Sequence, residues 1–177
     1  MRKLSHQEIV SRQKTKVPEP LLPLSVVLNN IRSLYNVGSI FRTADGAGVE
    51  KLWLCGITGY PPRADISKTA LGAEESMPWE YNQHAAFVLK QLKEKKYEIV
   101  LLEQTAGAID YNDFKPKGPV CLVMGNEITG VSDDLLSLCD TAIEIEMTGV
   151  KNSLNVAVAF GIAAYHIRYG LKTKFKK

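Results

Sequence analysis

Short apolar runs and helix-like segments alternate along the chain from Leu24 onward. The runs are rich in β-branched residues and bounded by polar residues or glycine, which predicts buried strands. Strands that alternate with helices are typical of an α/β domain on a largely parallel sheet. The predicted strands are Leu24–Leu28, Val49–Cys55, Glu98–Leu102, Val120–Met124 and Ala142–Met147.

Four segments predict helices. One covers Val37–Ala47 and ends at Gly48, another spans residues 85–92 with one apolar face, and Ser132 caps a third, short helix. The last helix, from Ser153 as its N-cap to about Arg168, is apolar on nearly every face, so we expect it to be buried all round. In so small a domain this helix needs a second covering surface, which a subunit interface would supply.

Length and charge divide the chain further. The 177 residues suit one main domain, placed at 24–168, and 45% hydrophobic content is typical of a globular protein. A basic N-terminal arm covers 1–23, helical around Ser5–Lys14, and a basic tail covers 169–177. Basic ends suit contact with a polyanion, although solubilising tails have the same composition.

Several functional classes are excluded. No apolar run approaches the roughly 18–20 residues of a membrane helix, and the polar N-terminus lacks an apolar signal segment, so we expect a cytoplasmic location. Cys55, Cys121 and Cys139 show no Cys-x-x-Cys spacing and the histidines are scattered, which predicts buried free thiols and no metal site. The usual dinucleotide, phosphate-loop and nucleophile-elbow patterns are also missing.

The first of three polar blocks contains Asn36, Gly38 and Arg42 in the pattern Asn-x-Gly-x-x-x-Arg. Arg42 lies in an otherwise apolar helix, so we do not expect its guanidinium to be fully solvated, and a buried guanidinium needs a partner. An ion pair with Asp45, three residues on, and a contact with a phosphate explain it equally well.

The other two blocks follow predicted strands. The second, from Val123 to Ser132, places glycine N–H groups and Glu127 at the carboxyl edge of the sheet, where α/β proteins bind ligands. A tight turn with a helix cap is its alternative explanation. The third block ends in Ser153-Leu-Asn155, and an amide such as Asn155 in an apolar helix should be hydrogen-bonded to a loop or a ligand.

Taken in order, the three blocks resemble the SpoU/TrmH-type family of the SPOUT superfamily, which are tRNA and rRNA ribose-2′-O-methyltransferases. The matching patterns are Asn-x-Gly-x-x-x-Arg-Thr-Ala, Gly-Asn-Glu-x-x-Gly-Val-Ser and Met-x-Gly-x-x-x-Ser-Leu-Asn-Val-x-Val-Ala, and the resemblance covers roughly Leu24 to Tyr165. It implies a single knotted α/β domain, with a mostly parallel sheet flanked by helices and a C-terminal trefoil knot. It also implies a homodimer that pairs through the first and last helices.

The resemblance implies S-adenosylmethionine as the cofactor, held by the loops after three strands. The cofactor contacts carried over by position are Thr105, Gly125, Ile145, Met147 and Leu154. Arg42 is then the catalytic residue, and it either anchors an RNA phosphate that lowers the pKa of the neighbouring 2′-hydroxyl or removes the proton itself. The residues implied to position it, the cofactor or the ribose are Asn36, Glu127, Ser153 and Asn155.

The expected substrate is structured RNA, with tRNA favoured over rRNA. A knotted RNA-binding protein without turnover is one alternative, and a base methyltransferase of the same fold is another. Arg42 and the Ser153-Leu-Asn155 sequence favour the ribose-modifying branch.

Overall fold

Seven strands form one sheet in the computed structural model of the protein, which describes residues 1–15 and 21–175. The strands are β1 (Leu24–Asn29), β2 (Lys51–Cys55), β3 (Trp79–Asn82), β4 (Glu98–Leu102), β5 (Ile109–Asp110), β6 (Val120–Met124) and β7 (Thr141–Glu144). Their order is β3-β2-β1-β6-β4-β7-β5, and every neighbouring pair is parallel. The predicted α/β class is confirmed.

Helices flank the sheet, except for the first, which buries no residue. They are α1 (His6–Lys14), α2 (Leu34–Ala47), α3 (Ala64–Ala70), α4 (Ala73–Ser76), α5 (Ala85–Glu94), α6 (Asp133–Leu136) and α7 (Val156–Phe175). All six residues of β1 are buried. Val26 and Leu28 pack into one hydrophobic cluster, whereas Val27 packs into another, because successive strand residues point to opposite faces. A parallel strand covered on both faces therefore has a continuous apolar sequence.

The sheet reverses its direction of winding beside β1. The chain proceeds from β1 to β2 and β3 on one side, and β6 and β4 lie on the other side. In open parallel sheets, ligands bind outside the carboxyl ends of the strands near such a reversal. The loops after β1, β4, β6 and β7 all lie at that edge.

The final helix differs from its prediction at both ends. α7 begins at Val156 rather than Ser153, because the side chain of Asn155 accepts hydrogen bonds from Ala157 N–H and Val158 N–H and so acts as the N-cap. At the other end it continues beyond Arg168 to Phe175. Leu171 is fully buried there, which extends the buried face of the helix into the predicted tail.

The single chain buries only one face of α7. Phe160, Ala163, Ile167 and Leu171 form its buried face. The opposite face exposes apolar and aromatic side chains, at Val158, Tyr165 and Tyr169. The single chain therefore leaves an apolar stripe on this helix uncovered. Within the described residues, no helix is long and apolar enough to cross a membrane.

Candidate active site

A cavity of about 440 Å³ opens at the carboxyl ends of β4, β6 and β7. Its walls are the loops that follow these strands, together with the segment leading into α7 and the first turn of that helix. Six residues predicted for the site line it: Gly125, Glu127, Ile145, Met147, Ser153 and Leu154. Thr105 is not among the described lining residues, and its neighbour Gln104 lines the cavity instead.

The loop after β6 is a tight turn closed by reciprocal backbone hydrogen bonds between Asn126 and Gly130. Gly130 has φ +64°, which favours glycine, and a Cβ there would lie 2.5 Å from Glu103 Oε2. A Cβ at Gly125 would lie 2.7 Å from the carbonyl carbon of Gly130. Close backbone packing thus requires a glycine at Gly125, whereas at Gly130 the left-handed backbone favours one.

Asn126 ties this loop to the end of β1. Its Nδ2 donates to the carbonyl oxygen of Asn30 at 2.8 Å, and its Oδ1 accepts from Ile128 N–H and Thr129 N–H. Gln104 makes a similar tie across the cavity, because its Nε2 donates to Asn152 O at 2.8 Å. Side-chain-to-backbone hydrogen bonds therefore link the loops that form the cavity walls.

The Glu127 carboxylate faces the N-terminus of α2. It accepts from Arg32 N–H at 3.0 Å, from Ser33 N–H at 3.3 Å and from Asn36 Nδ2 at 3.2 Å. Partial burial raises the pKa of Glu127, but hydrogen bonds from Arg32 N–H, its own N–H, the Asn36 amide and Ser33 N–H outweigh that effect and lower the pKa below the ordinary 4.5. Glu127 is therefore an ionised acceptor at neutral pH.

Asn36 connects Glu127 to the start of α7. Its Oδ1 accepts from Asn155 Nδ2 at 3.0 Å, so a continuous chain of hydrogen bonds runs Glu127–Asn36–Asn155 along the edge of the cavity. The amide of Asn155 therefore bonds to protein groups on both of its sides, to Asn36 through Nδ2 and to Ala157 N–H through Oδ1. Ser153 lines the cavity and is not the helix cap.

Arg42 lies apart from this cavity. It follows Asn36 by six residues, which places it about 9 Å farther along α2 and roughly 120° around the axis. It lines a separate groove with Lys68 and Tyr165. The side chain is exposed and, within residues 1–15 and 21–175, no carboxylate pairs with it. The expectation that the chain shields this guanidinium, with Asp45 as one candidate partner, is wrong for a single subunit.

Three residues that shape the site were not singled out by sequence. Glu103 and Glu144 line the cavity, and the carbonyl of Asn30 holds Asn126, which sequence had identified only as part of the Gly-Asn-Glu pattern. Glu103 follows β4 directly, so its place at a strand end was a usable signal. The Asn126–Asn30 contact joins residues 96 positions apart, and no local pattern announces it.

Residues 23–165 match the SpoU rRNA Methylase family. RlmB of Shewanella oneidensis, a 23S rRNA (guanosine-2′-O-)-methyltransferase, is 32% identical over 173 residues, which cover 90% of this chain and 69% of that protein. RlmB of Vibrio parahaemolyticus is 32% identical over 184 residues, covering 96% of this chain and 73% of that protein.

Solved structures of similar fold point to the same family. The TrmH/SpoU tRNA modifying enzyme of A. aeolicus superposes with a TM-score of 0.78 at 28% identity, covering 86% of this chain and 77% of that one. The SpoU methyltransferase AviRb of Streptomyces viridochromogenes, in complex with the cofactor AdoMet, gives 0.76 at 26% identity, covering 92% and 64%. Together with the geometry of the cavity, these matches confirm the resemblance drawn from the three sequence blocks: the chain belongs to the SpoU rRNA methylase family.

Proposed function

We propose that the protein transfers a methyl group from S-adenosylmethionine to the 2′-hydroxyl of a ribose in structured RNA. The observation that carries the proposal is the cavity built by three strand-end loops, edged by the Glu127–Asn36–Asn155 hydrogen bonds. The RlmB relatives are named for a guanosine of 23S rRNA, which favours ribosomal RNA over the tRNA that the sequence analysis preferred.

The cavity suits this cofactor in size and chemistry. A volume of about 440 Å³ is in the range of small-molecule sites. Apolar side chains such as Ile145 and Leu154 can face a purine ring, while the carboxylates of Glu103 and Glu144 can face positive charge. When bound, S-adenosylmethionine supplies an electrophilic methyl group on a sulfonium. The sulfonium and amino groups of this molecule are cationic, so the carboxylates of Glu103 and Glu144 are favourable there.

Glu127 positions groups rather than removing the ribose proton. Its oxygens already accept three hydrogen bonds, and its lowered pKa makes it a weak base. Its role is to fix the N-terminus of α2 against the loop after β6. Asn36 and Asn155 then hold the first turn of α7 in register with that loop.

Arg42 contributes to the reaction from a second subunit in this proposal. Its guanidinium is exposed and lies in a groove beside Tyr165, on the surface where α7 leaves Val158 and Tyr169 uncovered. A homodimer that buries this stripe would bring Arg42 into an interface without any change of fold. There its positive charge would bind an RNA phosphate and lower the pKa of the adjacent 2′-hydroxyl.

The remaining expectations are part of the same proposal. We infer a trefoil knot at the C-terminal end, a basic arm over 1–23 that contacts RNA, and a cytoplasmic location. β7 lies between β4 and β5, so the segment 103–108 bridges those two strands across β7. The chain that leaves β7 toward α7 has to pass this bridge, which supports the knot.

The test is transfer of a radiolabelled methyl group from S-adenosylmethionine to purified ribosomal RNA and, separately, to tRNA. Nucleoside digestion then distinguishes a 2′-O-methyl ribose from a methylated base. We expect label on ribose, with ribosomal RNA the better substrate. Label on a base, or cofactor binding without any transfer to either RNA, would contradict the proposal. Mapping the 2′-O-methyl positions lost in a deletion strain would identify the nucleotide.

A further inference from the structure

The groove that contains Arg42 holds a second cation. It has a volume of about 590 Å³ and lies between α2, α3 and α7. None of the described residues that line it is acidic, and its polar lining residues are Ser39, Arg42, Thr43, Lys68, Thr69 and Tyr165. Two cations in one groove are a typical environment for phosphate oxygens. The hydroxyls of Ser39 and Thr69 already donate to Tyr35 O, so the cations are the groups that would attract a phosphate.

Lys68 is held beside Arg42 by a close contact between α2 and α3. A Cβ at Gly38 would lie 2.2 Å from Ile66 O and 2.2 Å from Thr69 Oγ1, so the two helices approach with backbone in contact. Thr69 Oγ1 also donates to Tyr35 O at 2.9 Å. The glycine of the Asn-x-Gly block therefore determines where α3 sits and, with it, Lys68.

The ammonium group of Lys68 has a defined position, but its ion pair with Asp65 is exposed and weak. Its Nζ lies 2.8 Å from Asp65 Oδ1, and it sits over the ring of Tyr35 at 5.8 Å from the centroid. The two side chains of the ion pair are 60% and 42% exposed, and such pairs contribute little to stability. A phosphate can thus replace Asp65 as the partner of Lys68 at small cost.

We propose that Lys68 is a second phosphate-binding residue for the substrate RNA, acting with Arg42 on one stretch of its backbone. The inference rests on the proposed function and assigns this groove to RNA rather than to the cofactor. Arg42 and Lys68 then have different roles in binding the RNA. Arg42 acts at the reacting nucleotide, whereas Lys68 provides affinity through a neighbouring phosphate.

The experiment measures RNA affinity of the full-length protein against salt concentration. One lost phosphate contact lowers the magnitude of the slope of log K against log salt by about 0.7 for a single strand and about 0.9 for a DNA duplex, which corresponds to roughly five- to eightfold weaker binding near 0.1 M salt. We expect this loss for Lys68→Ala, with the affinity for S-adenosylmethionine unchanged. The control is Lys90→Ala, an exposed lysine on α5, which should bind RNA as the wild type does.

Two further variants separate binding from structure. Lys68→Arg keeps the charge and should retain affinity, and Asp65→Asn frees the ammonium group and should bind RNA at least as tightly as the wild type. Lys68→Ala that binds like Lys90→Ala overturns the inference, as does an equal loss in Lys68→Arg or weaker binding by Asp65→Asn. A failure of the proposed function is distinct from these results, because the wild type would then transfer no methyl group to RNA.

Discussion

Asn155 Nδ2 donates to Asn36 Oδ1 at 3.0 Å, which joins the start of the last helix to the start of α2 across 119 positions of sequence. The same Asn155 side chain caps α7 through its oxygen. One residue therefore has two roles, and the amide donor can be removed while the cap is kept.

Asn155→Asp should keep the cap and lose the donor to Asn36, whereas Asn155→Ala should lose both. We expect Asn155→Ala to lower the free energy of unfolding by about 1 kcal/mol, as N-cap removal does, and Asn155→Asp to change it far less. Both variants should lose methyl transfer. Chemical denaturation and the transfer assay check this, and full turnover in Asn155→Asp would refute a positioning role for the amide.

Glu127→Gln should change how stability depends on pH. The pKa of Glu127 is lowered in the folded protein, so its carboxylate contributes stability that is fully present above the unfolded-state value of about 4.5 and is lost as pH falls through the folded-state pKa. The difference in melting temperature between wild type and Glu127→Gln should be constant near neutral pH and shrink in acid. The control is Glu94→Gln, an exposed glutamate at the end of α5. A difference that grows in acid would contradict the hydrogen-bonded carboxylate.

Gly130→Ala should disturb the cavity wall. The left-handed backbone at this position costs about 1 kcal/mol with a side chain, and the new Cβ would displace the Glu103 carboxylate from 2.5 Å away. Calorimetric titration should show weaker binding of S-adenosylmethionine. Gly72→Ala is the matched control, because Gly72 has φ +91° with nothing within 4 Å and lies outside the cavity. Equal loss of cofactor affinity in both variants would argue against a specific role for the Glu103 contact.

Arg42→Lys should leave cofactor affinity nearly unchanged, because Arg42 does not line the cavity. It should lower turnover by about 100-fold or more, because lysine cannot make the two-pronged contact of a guanidinium with phosphate. Retained turnover would remove Arg42 from the mechanism.

Mixing two inactive variants tests whether Arg42 acts across the dimer. A heterodimer of Arg42→Lys and Asn155→Ala subunits has one intact site only if Arg42 serves the partner. Random assortment should then restore about a quarter of wild-type activity. A mixture as inactive as either variant alone would place Arg42 and Asn155 in the same subunit's site, or in no shared site.

Removal of residues 1–16 should weaken RNA binding more than cofactor binding. α1 has no buried residue, so its loss removes no part of the core. The deletion does remove the basic residues Arg2, Lys3, Arg12, Lys14 and Lys16. Filter binding at low and high salt measures the effect. Unchanged RNA affinity would leave the arm without this role.

Sequence predicted the central strands well, because their burial on both faces produces apolar runs that end at polar residues. β4 and β6 were located to the residue, at Glu98–Leu102 and Val120–Met124. β3 was missed because Trp79–Asn82 is short and only partly buried at the sheet edge. The N-cap was assigned to Ser153 because serine and asparagine are equally good caps, and only the geometry shows which one is used.

The site was predicted in part. The loops that converge were identified by the family's sequence blocks, and Gly125 and Leu154 line the cavity as carried over. The placement of Arg42 could not be inferred, because helical periodicity does not say which face of α2 another subunit would cover. Which pairs of residues meet across the sheet is likewise set by tertiary packing, as in the contact between Asn126 and Asn30.

Part of the cavity wall comes from the last helix, through Val156 and Ala159. A partly folded chain whose sheet has formed but whose α7 is still undocked would lack that side of the cavity and could not retain the methyl donor. Ligand that binds only the fully docked state shifts the folding equilibrium toward it in proportion to the logarithm of its concentration. The methyl donor would thereby stabilise the docked position of α7. Resistance of this helix to proteolysis should rise with the concentration of the donor.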